Sequence, residues 1–352
     1  MIGGFVMAIT VVVGCYTDEE HPKGLNLLSV EPKDGTLALV DSYAIENPLY
    51  LAIAPDGKTL YTNERDGLGS FAIAPDGTLK RRDFLACGGR AMCYLSLSAD
   101  GRRVNWAAYS NALAGSVEVK DGEFGRGETH TFVGKGPNRL RQGEAHFHCA
   151  VPEPDGHGYA VCDLGTDHIF SYRDDGSRRD LVTEPAGAGP RHVLFHPNGR
   201  LAFVVFELRN LIASYEWSEE QGFGKQLDRR ETLPVWPTGR AENGDLAAAI
   251  RFSPDGKCVI VSNRGEQSLV AFAFDEKTGR LEFKARTILP GNWPRDFIFL
   301  DETHALAAME RSGEIHCLEY DPASGEFKVL ATLGGFFRPI ALIFPKKTCA
   351  VF

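Results

Sequence analysis

The sequence has no run of lysines and arginines longer than three residues, and acidic residues outnumber basic ones. Forty-seven Asp and Glu against 38 Lys and Arg give a formal net charge of -9 at pH 7. Such a surface repels the phosphates of nucleic acids and anionic lipid headgroups unless a basic patch reverses the potential locally. The sequence therefore predicts neither a nucleic-acid nor a membrane partner. A small anionic ligand remains compatible with it, because a few arginines in a cleft can reverse the local potential.

Long hydrophobic runs are also missing. The apolar segment of residues 1–14 is too short to span a bilayer, and it has no lysine or arginine ahead of its hydrophobic part, as a secretory signal would. Its β-branched stretch ends at Gly14, which is typical of a buried strand bounded by a turn. We therefore interpret residues 8–13 as a β-strand.

Closely spaced cysteine pairs do not occur either. The eight cysteines are scattered, no CxxC pair is present, and most of them lie in apolar runs. This pattern predicts reduced thiols in a core and not a disulfide framework. Without a secretory signal, it favours a cytoplasmic location.

Several common catalytic motifs are absent. The sequence has no HExxH zinc motif, no GxSxG nucleophile elbow, no GxGxxG and no phosphate-binding P-loop. His146, His148 and His192 could gather with Asp163 around a metal, but the arginines expected nearby would repel a cation. The sequence thus predicts no metal and no cofactor.

One pattern does recur along nearly the whole chain. It consists of an apolar strand, a turn of the Pro-Asp-Gly type, a second apolar strand and further alternating residues. Repeats of about 40 to 50 residues with four short strands are typical of β-propeller blades, and a β-sandwich does not repeat one pattern in this way. Six copies are clear and a seventh is short; they begin at Leu51, Leu95, Cys149, Val193, Ile250, Phe297 and Ala341.

The seventh copy is too short to form a blade, since only residues 341–352 remain for it. Residues 9–13 and 24–30 have the missing strands. The sequence therefore predicts an all-β fold with one domain over residues 1–352. It is a seven-bladed β-propeller of four-stranded antiparallel blades, whose ring is closed by N- and C-terminal strands sharing one blade. The stretches 123–144 and 231–246 are predicted as loops over one face.

Candidate site residues follow from the register of the repeat. The starts of the innermost strands and the ends of the next strands converge on the channel of a propeller. Charged groups in such a place must either pair with one another or bind a ligand, so a structural ion-pair network between blades is the alternative interpretation. Polar residues at these positions include Asn47, Asn63, Glu64, Asp296 and Glu310. The ones that we take as site candidates are His146, His148, Asp163, Arg191, His192, Glu207, Asn263, Arg264 and Arg295.

The combination of residue types indicates a catalytic site. His148 and Glu207 offer proton transfer, and Arg191 and Arg264 offer donors for an oxyanion or a substrate anion. We interpret these four as catalytic, with the choice of base between His148 and Glu207 left open. The other five are interpreted as substrate-binding: His146, His192, Asp163, Asn263 and Arg295.

Several short segments in this order resemble one known family. They are Gly14-Cys-Tyr-Thr17, Asn47-Pro-Leu-Tyr-Leu51, His146-Phe-His148, Asp163-Leu-Gly-Thr-Asp167, Gly189-Pro-Arg-His192, Phe206-Glu-Leu208, Ser262-Asn-Arg-Gly265 and Pro294-Arg-Asp-Phe297. Over almost the whole chain the sequence resembles the propeller lactonases, which include the 6-phosphogluconolactonase and carboxy-cis,cis-muconate cyclase types. In that family the residues matching His148, Arg191, Glu207 and Arg264 are thought to form the active site.

The resemblance implies hydrolysis of a sugar lactone without a metal, with 6-phosphogluconolactone as the expected substrate. Two alternatives stay open: an intramolecular lyase of the muconate-cyclase type, and a non-enzymatic propeller scaffold. An enzyme predicts an open polar cavity, whereas a scaffold predicts an ion-paired, closed channel. We expect a small-molecule partner and a monomer or weak dimer. Three positions depart from the family pattern by lacking its usual polar residue: Ala108, Phe206 and Ala249.

Overall fold

Seven four-stranded antiparallel sheets make up the protein. The computed structural model describes residues 9–233 and 244–345, and within these ranges its regular elements are 28 β-strands. The predicted seven-bladed propeller is thereby confirmed. No helix long and apolar enough to cross a membrane occurs in the described part.

Six blades are continuous in sequence, and each runs from its innermost to its outermost strand. Blade 1 contains β4 (Leu51–Ile53), β5 (Thr59–Glu64), β6 (Gly67–Ile73) and β7 (Leu79–Ala86). Blade 2 contains β8 (Met92–Leu97), β9 (Arg103–Ala108), β10 (Leu113–Lys120) and β11 (Glu123–Thr131). Blade 3 contains β12 (Phe147–Pro152), β13 (Gly158–Asp163), β14 (His168–Arg173) and β15 (Arg178–Thr183).

The other three continuous blades follow the same order. Blade 4 contains β16 (Pro190–Phe195), β17 (Leu201–Phe206), β18 (Leu211–Ser218) and β19 (Gly222–Glu231). Blade 5 contains β20 (Leu246–Phe252), β21 (Cys258–Arg264), β22 (Ser268–Phe274) and β23 (Leu281–Ile288). Blade 6 contains β24 (Pro294–Phe299), β25 (His304–Met309), β26 (Glu314–Tyr320) and β27 (Phe327–Gly334).

Blade 7 is built from both ends of the chain. It contains β1 (Ile9–Cys15), β2 (Leu25–Glu31), β3 (Thr36–Tyr43) and β28 (Pro339–Ile343), and β28 pairs with β1 as the innermost strand. Val12 lies opposite Ile343, and Gly14 lies opposite Ala341. The predicted closure of the ring is confirmed, and hydrogen bonds between the two ends hold it without a covalent link.

Burial follows the position of a strand within its blade. The second strands β5, β13, β17 and β21 are buried at every residue, whereas the outermost strand β11 has no buried residue and is exposed at six of its nine positions. The prediction of a loop over 123–144 is wrong for residues 123–131, which form β11. An outermost strand covers only one face, so it has few apolar residues and its pattern looks like that of a loop. The predicted loop at 231–246 lies partly outside the described residues.

A β-bulge at the start of the innermost strands recurs from blade to blade. In blade 4, Pro190 and His192 pair with the adjacent residues Phe206 and Val205, so Arg191 is one extra residue in its strand. A bulge turns a side chain out of the regular alternation. The same register shift singles out one residue in each of five blades: Cys93, His148, Arg191, Arg295 and Ile340.

Candidate active site

The five bulged residues all line one cavity of about 330 Å³ in the channel. This volume suits a small metabolite. Blades 3 to 6 provide a charged wall that consists of His148, Arg191, Glu207, Arg264, Arg295 and Asp296. Blades 7, 1 and 2 provide a wall without charge, which includes Ile340, Leu49, Tyr50, Ala91 and Cys93. The cavity therefore has one polar wall, as the enzyme interpretation predicts.

Glu207 is the centre of the charged wall. It follows β17 directly and is 1% exposed. Its Oε2 accepts from Arg191 Nε at 2.9 Å and lies 2.6 Å from Arg264 Nη2, while its Oε1 accepts from Arg141. Burial by itself raises the pKa of Glu207, but the three guanidinium groups hold that pKa well below its usual range. The carboxylate is thus ionised and a weak base.

Arg191 and Arg264 are held in place by backbone carbonyls as well as by Glu207. Arg191 Nη1 donates to the carbonyl of Ala248 at 2.7 Å, and Arg264 Nη2 donates to that of Ala247 at 2.9 Å. Burial lowers the pKa of Arg264 to about 9, which leaves this side chain charged at pH 7. Within residues 9–233 and 244–345, Arg191 Nη2 and Arg264 Nη1 have no hydrogen-bond partner. Each arginine thus keeps a donor for a ligand.

His148 lies beside this cluster. Its Nε2 is 4.0 Å from Glu207 Oε2, and its Nδ1 is buried with no partner among the described residues. Burial and the positive charge of Arg191 lower the pKa of His148 well below the ordinary value. The imidazole is therefore neutral at pH 7 and able to accept a proton.

His192 is held between the arginine cluster and two stacked tyrosines. Arg191 Nη1 lies 3.0 Å from His192 Nε2, and the His192 ring meets that of Tyr94 edge-on at 5.0 Å. Tyr94 stacks on Tyr50 at 4.2 Å. Burial and Arg191 lower the pKa of His192 well below its usual value, so this ring is also neutral. His192 positions Arg191 and forms part of the cavity lining, and its substrate-binding role stays a prediction.

The structure places three of the predicted substrate-binding residues outside the lining of the cavity. Asp163 accepts from the backbone amides of His146 at 2.7 Å and Gly165 at 2.9 Å, and so fixes the turn after β13. Asn263 is bound to Thr232, with its Oδ1 accepting from the Thr232 hydroxyl at 2.8 Å. Buried polar groups need hydrogen-bond partners, and the side chains of Asp163 and Asn263 have theirs in these amide and hydroxyl groups. We therefore revise Asp163 and Asn263 to structural roles.

His146 also has a supporting position. Its ring stacks on Tyr109 at 4.1 Å, and its Nδ1 lies 3.0 Å from the carbonyl oxygen of Tyr109. Tyr109 itself lines the cavity and meets His148 edge-on at 5.8 Å. His146 thus holds the tyrosine that packs against the histidine of the site.

Arg141 is the main residue that register reasoning missed. It lies in the loop after β11, binds Glu207 through Nη2 and lies 3.5 Å from the hydroxyl of Tyr109. Because loops follow no repeat, register could not place it. A usable signal was the pair of arginines, Arg139 and Arg141, shortly before His146 in an otherwise acidic protein.

The three departures from the family pattern do not lie in the wall of the cavity. Ala108 and Ala249 are buried, and Ala249 donates its amide to the Ser262 hydroxyl at 3.0 Å. Phe206 is buried and has the guanidinium of Arg229 5.3 Å from its ring centroid. The donors and carboxylates described above form the site without them.

The charges of the cavity favour an anion over a cation. In the described part of the chain, no three His, Cys, Asp or Glu side chains are grouped as they would be around a metal ion. Four arginines line the cavity, Arg141, Arg191, Arg264 and Arg295, against two carboxylates, Glu207 and Asp296. The excess of positive charge favours an anionic ligand.

Several known proteins are similar to this chain over most of its length. A family model described as "Lactonase, 7-bladed beta-propeller" matches residues 10–334. A 6-phosphogluconolactonase of Bacillus subtilis (strain 168) is 31% identical over 315 residues, which is 85% of this chain and 87% of that protein. An uncharacterized protein of Lactococcus lactis subsp. cremoris is 33% identical over 328 residues, 90% of this chain and 93% of its own. The structure of the periplasmic gluconolactonase of Pseudomonas aeruginosa superposes with a TM-score of 0.87 at 28% identity, covering 96% of this chain and 99% of that one.

Proposed function

The chain belongs to the family of seven-bladed β-propeller lactonases, and we propose that it hydrolyses a sugar lactone, 6-phosphogluconolactone, without a metal ion. One observation carries this proposal. Glu207 holds three guanidinium groups beside the neutral His148, on the wall of a cavity that has an excess of positive charge. An anionic lactone matches this charge, and the name of the Bacillus subtilis relative supports the phosphorylated sugar.

In the proposed reaction a water molecule attacks the lactone carbonyl. His148 takes a proton from the water as its oxygen bonds to the carbonyl carbon, and the carbonyl oxygen becomes an oxyanion. Arg191 Nη2 and Arg264 Nη1 have no hydrogen-bond partner among the described residues, and they stabilise that oxyanion. The bond from the carbonyl carbon to the ring oxygen then breaks, and the ring oxygen leaves with the proton from His148. The product is an open-chain hydroxy acid.

Glu207 acts in this proposal through its negative charge and not as the base. A carboxylate shared among three guanidinium groups has little tendency to take a proton. It can nevertheless stabilise the imidazolium that forms on His148, 4.0 Å away. A bound substrate anion would also reduce the positive potential that lowers the pKa of His148, which strengthens the base when the lactone is present.

The test is hydrolysis of freshly prepared 6-phosphogluconolactone above its spontaneous rate, with and without chelator. We expect activity that chelator leaves unchanged and that His148→Gln lowers about 10²- to 10⁴-fold, the usual range for a general base. His130→Gln is the matched control, because His130 stacks on Tyr172 at 3.8 Å, outside the cavity lining. Activity lost with chelator, or unchanged in His148→Gln, would contradict the proposal.

Two further measurements, conversion of a muconate and binding of a small anion, distinguish the alternatives. A protein that hydrolyses no lactone but converts a muconate to its lactone is a cyclase that uses the same arginines for carboxylates. A protein active in neither assay that binds no small anion is a scaffold.

The seven cysteines of the described part are free thiols, which supports the predicted cytoplasmic location; Cys349 lies outside the described residues.

A further inference from the structure

A second group of charges lies beside the cavity, between blades 6 and 7. Glu310 follows β25 and is 2% exposed. Its Oε2 accepts from Arg295 Nη1 at 3.1 Å, and its Oε1 accepts from Arg338 Nε at 3.1 Å. The Arg338 guanidinium also lies over the ring of Tyr16, 4.0 Å from its centroid. One carboxylate thus holds two guanidinium groups and, through Arg338, a tyrosine.

This group has unused donors. In the part of the chain that the structure describes, Glu310 is the one hydrogen-bond partner of the Arg295 side chain, through a single nitrogen. The Tyr16 hydroxyl has no hydrogen-bond partner within the same residues, and both Tyr16 and Arg295 line the cavity. Arg338, with 47% of its side chain accessible, lies over the Tyr16 ring and is not part of that lining. Burial lowers the pKa of Arg295, but Tyr16 and Glu310 raise it above the ordinary value, so the guanidinium stays charged.

The arginines beside Glu310 are bound by fewer protein groups than the arginines beside Glu207. At Glu207, the three arginines converge on both oxygens of the carboxylate, and two of them also bind backbone carbonyls. At Glu310, two guanidinium groups face one carboxylate, and Arg295 keeps most of its five donors. The wall without charge, which includes Ile340, Leu49, Tyr50, Ala91 and Cys93, has no positive group that could hold an anion. An anionic group of the substrate other than the developing oxyanion is therefore best bound beside Glu310.

We propose that Tyr16 and Arg295, with Arg338 held beside them, form a subsite for the phosphate of the substrate, separate from the oxyanion donors Arg191 and Arg264. Guanidinium groups bind phosphate oxygens through paired, charge-assisted hydrogen bonds, and the tyrosine hydroxyl adds a neutral donor. This assignment rests on the proposed lactonase activity. It orients the lactone with its phosphate toward blades 6 and 7 and its carbonyl toward blades 4 and 5.

The subsite is tested by comparing a phosphorylated with an unphosphorylated substrate. We expect Arg338→Gln to raise the KM for 6-phosphogluconolactone about tenfold or more, with kcat nearly unchanged, and to leave kcat/KM for glucono-1,5-lactone within about twofold. Tyr16→Phe, which keeps the ring under Arg338, should show the same selectivity with a smaller rise. Arg65→Gln is the matched control, since Arg65 is an exposed arginine paired with Glu46 at 3.3 Å outside the cavity.

The subsite and the reaction can fail separately. Calorimetric binding of 6-phosphogluconate and of gluconate needs no turnover, and Arg338→Gln should weaken only the binding of 6-phosphogluconate. If no lactone is hydrolysed but this selective loss is seen, the subsite stands and the proposed reaction fails. If lactones are hydrolysed and Arg338→Gln affects both substrates equally, or neither, the subsite is refuted while the lactonase proposal survives.

Discussion

Replacing Glu207 by glutamine is the sharpest test of how the charged wall works. The substitution keeps the shape of the side chain but removes the charge that faces Arg141, Arg191 and Arg264. The Glu207→Gln variant would leave three guanidinium groups without a counter-charge, next to a side chain that is 1% exposed in the wild type. Removing one partner from a buried ion pair costs about 3 to 5 kcal/mol, because a buried charge is left uncompensated. We expect a loss of stability of about this size.

That free energy can be converted to a melting temperature. Unfolding entropy is about 2.1 cal/mol/K per residue, or about 0.7 kcal/mol/K for a chain of this length. A destabilisation of about 3 to 5 kcal/mol therefore lowers Tm by roughly 4 to 7 °C. In the same variant, turnover of the lactone should fall at least about 10²-fold, because the oxyanion donors lose their anchor and the imidazolium its stabilising charge.

A double variant separates the structural from the catalytic contribution. Arg141 is the most exposed of the three arginines, with 32% of its side chain accessible, and it comes from a loop. Glu207→Gln with Arg141→Gln has one unpaired cation fewer, so scanning calorimetry should show Tm recovering in part. Turnover should not recover. If Glu207→Gln melts with the wild type and keeps most of its turnover, both the electrostatic reasoning and the catalytic role are refuted.

Two further predictions concern pH and a residue away from the cavity. The pKa of His192 is lowered in the folded protein, so below the unfolded value of about 6.5 the unfolded chain binds the extra proton. The free energy of unfolding therefore falls as pH drops, by up to about 1.4 kcal/mol per pH unit. In denaturant titrations between pH 7 and pH 5, His192→Gln should lose less stability than the wild type, and an identical loss would contradict a buried neutral imidazole. Asp163→Ala should lower the free energy of unfolding by about 1 to 3 kcal/mol, because the substitution leaves buried amide donors unsatisfied. The KM measured on the folded variant should stay within about twofold of the wild-type value. A large rise in KM would restore the substrate-binding role of Asp163.

Register reasoning can locate the channel of this protein because a propeller converts sequence position into radial position. Residues that begin the first strand of a repeat lie at the channel, so the sequence alone indicates His148, Arg191 and Arg295 as residues of the cavity. The same reasoning could not separate Glu207 from Asp163 or Asn263, which all lie at the end of a second strand. Of these three, only Glu207 binds arginines of the cavity, whereas the other two bind backbone amides or a hydroxyl, and those contacts depend on the conformation of each following turn or loop.

The amino-acid sequence by itself determined the blade count, the strand order and the shared closing blade, because alternating apolar residues and Pro-Asp-Gly turns act locally and repeat in every blade. Tertiary structure alone decided which polar residues meet. The bulges that turn Cys93, His148 and Arg191 into the cavity are shifts of register between two strands, and Arg141 reaches Glu207 from a loop 66 residues earlier in the chain. Both depend on contacts between distant segments, for which no local pattern of residues exists.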